Sequence, residues 1–206
     1  MRRKPRKRRM FFAEIDTSRY YWKNDLITLR HPRAEDWESL IYHMFDSQGR
    51  FFFNEEIDLP VDVEQYKGRS EFTDPEQLPY LCFAIENSQG KHVGIANLFN
   101  VNERHGTFGP IGIVINPQDR GKGYGTEAYR MLGRYLFQER RMHKWNNGYI
   151  EGYRASEALH KKLGFVVEGI QRDMYYHEGR YWNQVVCGMT ETQFFENEHR
   201  VFHASL

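Results

Sequence analysis

Cysteine is scarce in this chain: Cys82 and Cys187 are the only two in 206 residues. Two thiols cannot form the framework of a disulfide-stapled domain, and each sits in an apolar, strand-like run. Both therefore read as buried thiols of a reducing compartment, the cytoplasm. Long apolar runs are missing as well. No stretch reaches the roughly 18–20 residues that a helix needs to cross a bilayer, so an integral membrane protein is not expected. No internal repeat appears, and no Pro/Gly/Ser-rich linker divides the body, so one domain is expected. What the chain does have is 40% hydrophobic and 28% charged residues, enough for a packed core and against disorder of the whole.

Net charge is also nearly absent, at +1, but it is unevenly placed. Seven basic residues (Arg2, Arg3, Lys4, Arg6, Lys7, Arg8, Arg9) crowd the first ten positions without an acid, so the remaining body carries about −6. No apolar h-region precedes Met10, which argues against a secretory signal. A block of like charge repels itself, so residues 1–22 are expected to be a disordered basic arm, the only part suited to nucleic acid. Residues 23–192 form the expected domain and 193–206 a tail.

Leu26–Arg30 reads as a first strand. A helix follows from His31-Pro32, with Trp37, Leu40, Ile41, Met44 and Phe45 at helical spacing. Between Arg50 and Pro79 lie another short helix and loops. Tyr80–Asn87 and His92–Asn100 read as a hairpin, and Thr107–Asn116 as the next strand of a meander. A helix is expected over Gly125–Glu139, with Ala128, Met131, Leu132, Tyr135 and Leu136 on one face. Lys144–Ile150 reads as a strand, and a short helix ends at Gly164, a left-handed cap. Phe165–Tyr176 and Tyr181–Met189 form a last hairpin. The order predicts an α/β (α+β) fold with a mostly antiparallel six- to seven-stranded sheet and flanking helices.

The informative stretch is Asn116-Pro-Gln-Asp-Arg120-Gly-Lys-Gly-Tyr-Gly125-Thr. Alternate glycines remove Cβ atoms where a strand turns into a helix, so backbone N–H groups can converge on an anion at the helix N-terminus. Pyrophosphate is the obvious guest. The P-loop spacing is absent. A dinucleotide fold is disfavoured because the glycines alternate differently and an antiparallel meander precedes them.

Arg120-x-x-Gly123-x-Gly125 resembles the Arg/Gln-x-x-Gly-x-Gly/Ala signature of the GNAT superfamily, the acetyl-CoA-dependent N-acetyltransferases. A second motif agrees with it: Leu159-His-Lys-Lys-Leu-Gly-Phe165 with Glu168-Gly169 is similar to that superfamily's Leu-Tyr-Glu-Lys-Leu-Gly-Phe followed by Glu-Gly. The ending Gly179-Arg-Tyr-Trp-Asn183 resembles the branch that acetylates ribosomal-protein N-termini and spermidine. The resemblance runs from about Leu26 to Met189 and implies a sheet splayed between strands four and five. It departs at two places: Tyr153 stands where the family often has Asn, and His160 where it has the Tyr that protonates the departing thiolate.

Acetyl transfer to an amine needs three things. The ammonium, with a pKa near 10, must lose a proton; the thioester oxygen needs a fixed donor; and the thiolate is helped by protonation. The resemblance implies that acetyl-CoA lies along Ile113, Val114 and Ile115. It implies further cofactor contacts from Arg120, Gly121, Lys122, Gly123, Tyr124, Gly125 and Thr126 at the turn, and from Tyr153 and Ser156 at the second motif. It implies His160 as the acid. Glu127 and Glu151 are candidate bases beside a water chain with no dedicated base. His199 and His203 have metal-ligand spacing, but no third ligand is evident and no metal is expected.

The acceptor is expected to be a small-molecule or peptide amine. The body's charge and Glu55, Glu56, Asp58, Asp62 and Glu64 favour a cation: a polyamine, an aminoglycoside or a basic protein N-terminus. A homodimer is compatible with this reading. Two alternatives are a non-catalytic acetyl-CoA-binding module, motivated by Tyr153 and His160, and an RNA-associated protein that uses the basic arm.

Overall fold

The computed structural model describes residues 18–36, 41, 43, 45–54, 60, 62 and 81–202. Most of the basic arm, three of the five apolar positions of the expected first helix, and Glu55, Glu56, Asp58 and Glu64 lie outside them.

Among the described residues nine strands form two sheets. β1 (Ile27–Arg30), β2 (Leu81–Asn87), β3 (His92–Leu98) and β6 (Ile111–Ile115) make the first, in the order β1-β2-β3-β6. The second runs β4-β5-β7-β9-β8, from β4 (Val101–Asn102), β5 (Thr107–Phe108), β7 (Lys144–Ile150), β8 (Val166–His177) and β9 (Arg180–Thr190). Helices α1 (Ser47–Asn54), α2 (Tyr124–Arg134), α3 (Arg154–Leu163) and α4 (Glu191–Asn197) attach to them. A π-helical turn, Tyr135–Glu139, extends α2, and another, Glu198–Phe202, follows α4.

The strand expected over Thr107–Asn116 is two strands, and the break decides the architecture. β5 pairs in parallel with β7 at Thr107↔Lys144 and Phe108↔Trp145. Gly109-Pro110 then interrupts the ladder: Pro110 has no N–H to give, and a Cβ on Gly109 would run into the Asn146 carbonyl. From there β6 leaves β7 and pairs only with β3. The expected splay therefore separates two sheets. α2 spans the divide and buries Ala128, Met131 and Leu132 against a core shared with Ile27, Leu29, Ile85 and Trp145.

Both expected domain boundaries move. Trp22, assigned to the arm, packs its ring 4.8 Å from Tyr135 and 4.9 Å from Phe83. The 192/193 boundary cuts α4. Thr190 and Gln193 form a capping box there, Phe194 is 2% exposed, and Glu198 bonds Arg130 at 2.6 Å. Contacts with the body thus continue past residue 192, through Phe194 and Glu198.

Candidate active site

The gap between β6 and β7 is closed at one end. The Tyr129 hydroxyl, from α2, donates to Ile111 O at 2.6 Å and accepts from Asn147 Nδ2 at 3.3 Å. Above that rung β6 presents an unpaired edge. Asn116 N–H donates to Val93 O, so the alternation of an antiparallel ladder turns the backbone groups of Gly112 and Val114 toward β3 as well. Those of Ile111, Ile113 and Ile115 turn into the gap. Tyr129 donates to Ile111 O and Arg120 Nε to Ile115 O at 3.1 Å, and among the described residues nothing bonds the Ile113 N–H or C=O.

The side chains alternate too. Ile113 and Ile115 lie under Gly125 of α2, whereas Gly112 and Val114 lie under Phe53 of α1. The expected strand Ile113, Val114 and Ile115 thus serves both faces: its core side chains pack while Ile113 offers backbone.

At the open end, Pro117–Asp119 is a 3-10 turn, and Gly123 caps α2 at φ +86° with no side-chain cap. Glu127 N–H takes the Gly123 carbonyl, so the N–H groups of Tyr124, Gly125 and Thr126 have no helical acceptor. A Cβ on Gly121 would meet nothing within 4 Å. These glycines leave an open cradle of donors, and the residues present fit a pyrophosphate. Asp119, buried, accepts from Lys91 Nζ at 2.7 Å and Lys122 Nζ at 2.9 Å. Burial pushes the Asp119 carboxyl up and the two ammonium groups more than reverse it, so it stays ionised and anchors Lys122 beside the cradle. Arg120 differs: Nη2 bonds Asp46 Oδ2 at 3.0 Å, so its guanidinium faces α1.

The opposite face of the gap is aromatic. α1 reaches across both sheets with three consecutive phenylalanines. Phe53 packs on Ile95 and Val114; Phe51 stacks on His177 at 3.9 Å; Phe52 stacks on Tyr153 at 4.3 Å. Trp182 meets Phe52 edge-on and carries the Arg180 guanidinium 3.7 Å above its ring. Tyr153, expected among the cofactor contacts, stands at the N-cap of α3 and belongs to this wall.

The acid role expected of His160 does not match its surroundings. The side chain is 4% exposed, and Nδ1 lies 2.7 Å from the Ser156 carbonyl, which only accepts, so the proton sits on Nδ1 and Nε2 is bare. Burial lowers its pKa despite that bond. It lines a hollow with Tyr149, Phe165, Val167 and Cys187, and its ring stands edge-on to Tyr129 at 6.1 Å. Ser156 meets Nδ1 through its carbonyl and, at 3.3 Å, through its hydroxyl oxygen. Glu127, a candidate base, accepts from Asn24, Arg130 and Arg134. Glu151 is exposed and bonds Asn183 at 2.7 Å.

Among the described residues no group of three or more His, Cys, Asp or Glu could hold a metal ion; His203 lies outside them. Nor is any helix there long and apolar enough to cross a membrane. A larger hollow, lined by Asn100, Asn102, Thr107 and Asn146, lies on β4 and β5 below the closed end.

Residues 27–166 match the family model described as acetyltransferase (GNAT) domain. The SPbeta prophage-derived uncharacterized N-acetyltransferase YokL of Bacillus subtilis (strain 168) is 29% identical over 178 residues, covering 84% of this chain and 95% of that protein. Spermidine N(1)-acetyltransferase of Escherichia coli (strain K12) is 26% identical over 179 residues, covering 84% and 90%. In fold, the chain resembles spermidine N-acetyltransferase from Vibrio cholerae, solved in complex with CoA and spermine, with a TM-score of 0.67 at 21% identity over 84% of this chain and 99% of that one. The split sheet, the glycine-capped helix and these relatives agree, and the chain belongs to the GNAT family of acetyltransferases as an N-acetyltransferase.

Proposed function

We propose that the chain acetylates a cationic primary amine, with acetyl-CoA in the gap between β6 and β7 and the amine entering from the α1 face. The observation that carries this is the open edge of β6 at Ile113 beside the Gly123 cradle. Bound acetyl-CoA supplies an activated carbonyl. The Tyr124, Gly125 and Thr126 N–H groups and Lys122 hold its pyrophosphate, and the helix dipole of α2 adds to that hold. Ile113 N–H is the fixed donor for the carbonyl oxygen as negative charge develops on it. The ring wall of Phe52, Tyr153 and Trp182 orients the amine and thins the water around it. Water takes the amine's proton and returns one to the sulfur, since burial keeps His160 neutral with its Nδ1 proton on the Ser156 carbonyl and Glu127 is engaged by two arginines.

A polyamine is the leading acceptor. Two curated relatives covering most of this chain are named spermidine N(1)-acetyltransferases, and the body carries about −6. The reaction belongs to the cytoplasm, where free thiols such as Cys82 and Cys187 persist. The test is thiol release from acetyl-CoA over spermidine, an aminoglycoside and a basic peptide, with titration calorimetry of acetyl-CoA alongside. Turnover of spermidine is expected, and no release with any of the three would remove the reading. Gly123→Val is expected to abolish acetyl-CoA binding in a folded protein, because a β-branched residue is strained at φ +86° and fills the cradle. Unchanged affinity in that variant would remove the cradle.

A further inference from the structure

We infer that Arg120 is a positioning residue for the acceptor amine and not a ligand of the cofactor's phosphates, an inference that rests on the reading above. Its sequence position, one residue before the glycines, suggests a phosphate contact. Its bonds point elsewhere. Nε donates to the Ile115 carbonyl at 3.1 Å, on the open edge of β6, and Nη2 donates to Asp46 Oδ2 at 3.0 Å. The other carboxylate oxygen of Asp46 accepts the Gly49 N–H at 3.0 Å, inside the first turn of α1. One guanidinium thus ties the gap-side strand edge to the start of the helix whose rings form the acceptor wall.

That tether matters because α1 is short. Eight residues do not sustain a helix in water by themselves. α1 is held at its far side by Phe51 on His177, at the end of β8, and by Phe52 on Tyr153, at the N-cap of α3. Phe53 rests on the four-stranded sheet. Arg120 and Asp46 supply the polar link to β6, and with it the height of the ring wall above Ile113. Arg120 is the forked donor suited to this: a lysine reaches one of the two acceptors, not both. The ion pair itself is partly exposed, at 44% and 29%, so it adds little to global stability and its loss leaves the fold standing.

The test uses Arg120→Ala, Asp46→Asn and the double variant, with whichever of spermidine, an aminoglycoside and a basic peptide the wild type turns over best. Each single variant is expected to raise the acceptor KM about tenfold or more while the acetyl-CoA Kd moves less than about twofold. The double variant should be no worse than Arg120→Ala alone, since both break one link. Asp46→Asn keeps an oxygen for the Gly49 N–H, so its effect reports the link to Arg120 and not the helix cap. The inference is overturned if Arg120→Ala weakens acetyl-CoA about tenfold with the acceptor KM unchanged, or if Asp46→Asn leaves that KM where it was. A wild type that acetylates none of the three amines overturns the reading and this inference together.

Discussion

At the scale of single residues, the sign of a side chain's chemistry is set by one neighbour. His160 stands where the family signature has its acid, yet the Ser156 carbonyl holds its proton on the wrong nitrogen and burial keeps the ring neutral. His160→Phe is accordingly expected to leave kcat within about threefold of wild type, whereas loss of a true general acid costs roughly a hundredfold or more. Steady-state turnover with acetyl-CoA saturating is the measurement, and a hundredfold loss would return the acid to His160. The sequence could not show this. Spacing puts residue 160 on the same helix face as 156, but a sequence does not say how deeply that face is buried or which group its ring nitrogen meets. Gly123 was legible, because a glycine at the junction of strand and helix reports a backbone need that no contact has to explain.

Among the elements, α4 carries the clearest lesson. It was expected to be a tail, although Thr190-x-x-Gln193 ahead of two phenylalanines is a capping signature that the sequence displays. Phe194 lies 5.3 Å from Phe137 between ring centroids and is almost fully enclosed. Phe194→Ala should therefore cost about 3–5 kcal/mol, as for other large-to-small changes in a packed core. Chemical denaturation checks it, and a cost below about 1 kcal/mol would make the segment a tail after all. α1 is the opposite case. Its stretch reads only as a short helix and loops, and the partners of its three phenylalanines, Ile95 and Val114, Tyr153 and His177, all lie far along the chain, which no local pattern encodes.

For the whole molecule, three histidines link stability to pH. Burial pushes His43 down to about 4 and lowers His92 and His160 from their ordinary 6.5. Below that ordinary value the unfolded chain binds protons that the fold refuses, so stability falls as pH drops. The loss begins near pH 6.5 and, for His43, continues to about pH 4. Scanning calorimetry from pH 7.5 to 5 is expected to show a falling midpoint, and a flat profile would contradict the neutral burial of these rings. The arrangement of strands was largely legible, because β-rich runs and turn glycines are local. The division into two sheets was not visible in the strand pattern and was implied only by the family resemblance.

A strand edge left open inside a protein also keeps its own record in hydrogen exchange. In the free protein Val114 donates into the ladder with β3 while Ile113 donates to nothing among the described residues, so neighbouring amides on one strand should trade hydrogen for deuterium at very different rates. Adding acetyl-CoA should slow Ile113 and leave Val114 as it was. If Ile113 is already slow without ligand, the edge is occupied from within, and the gap between the sheets is not a groove.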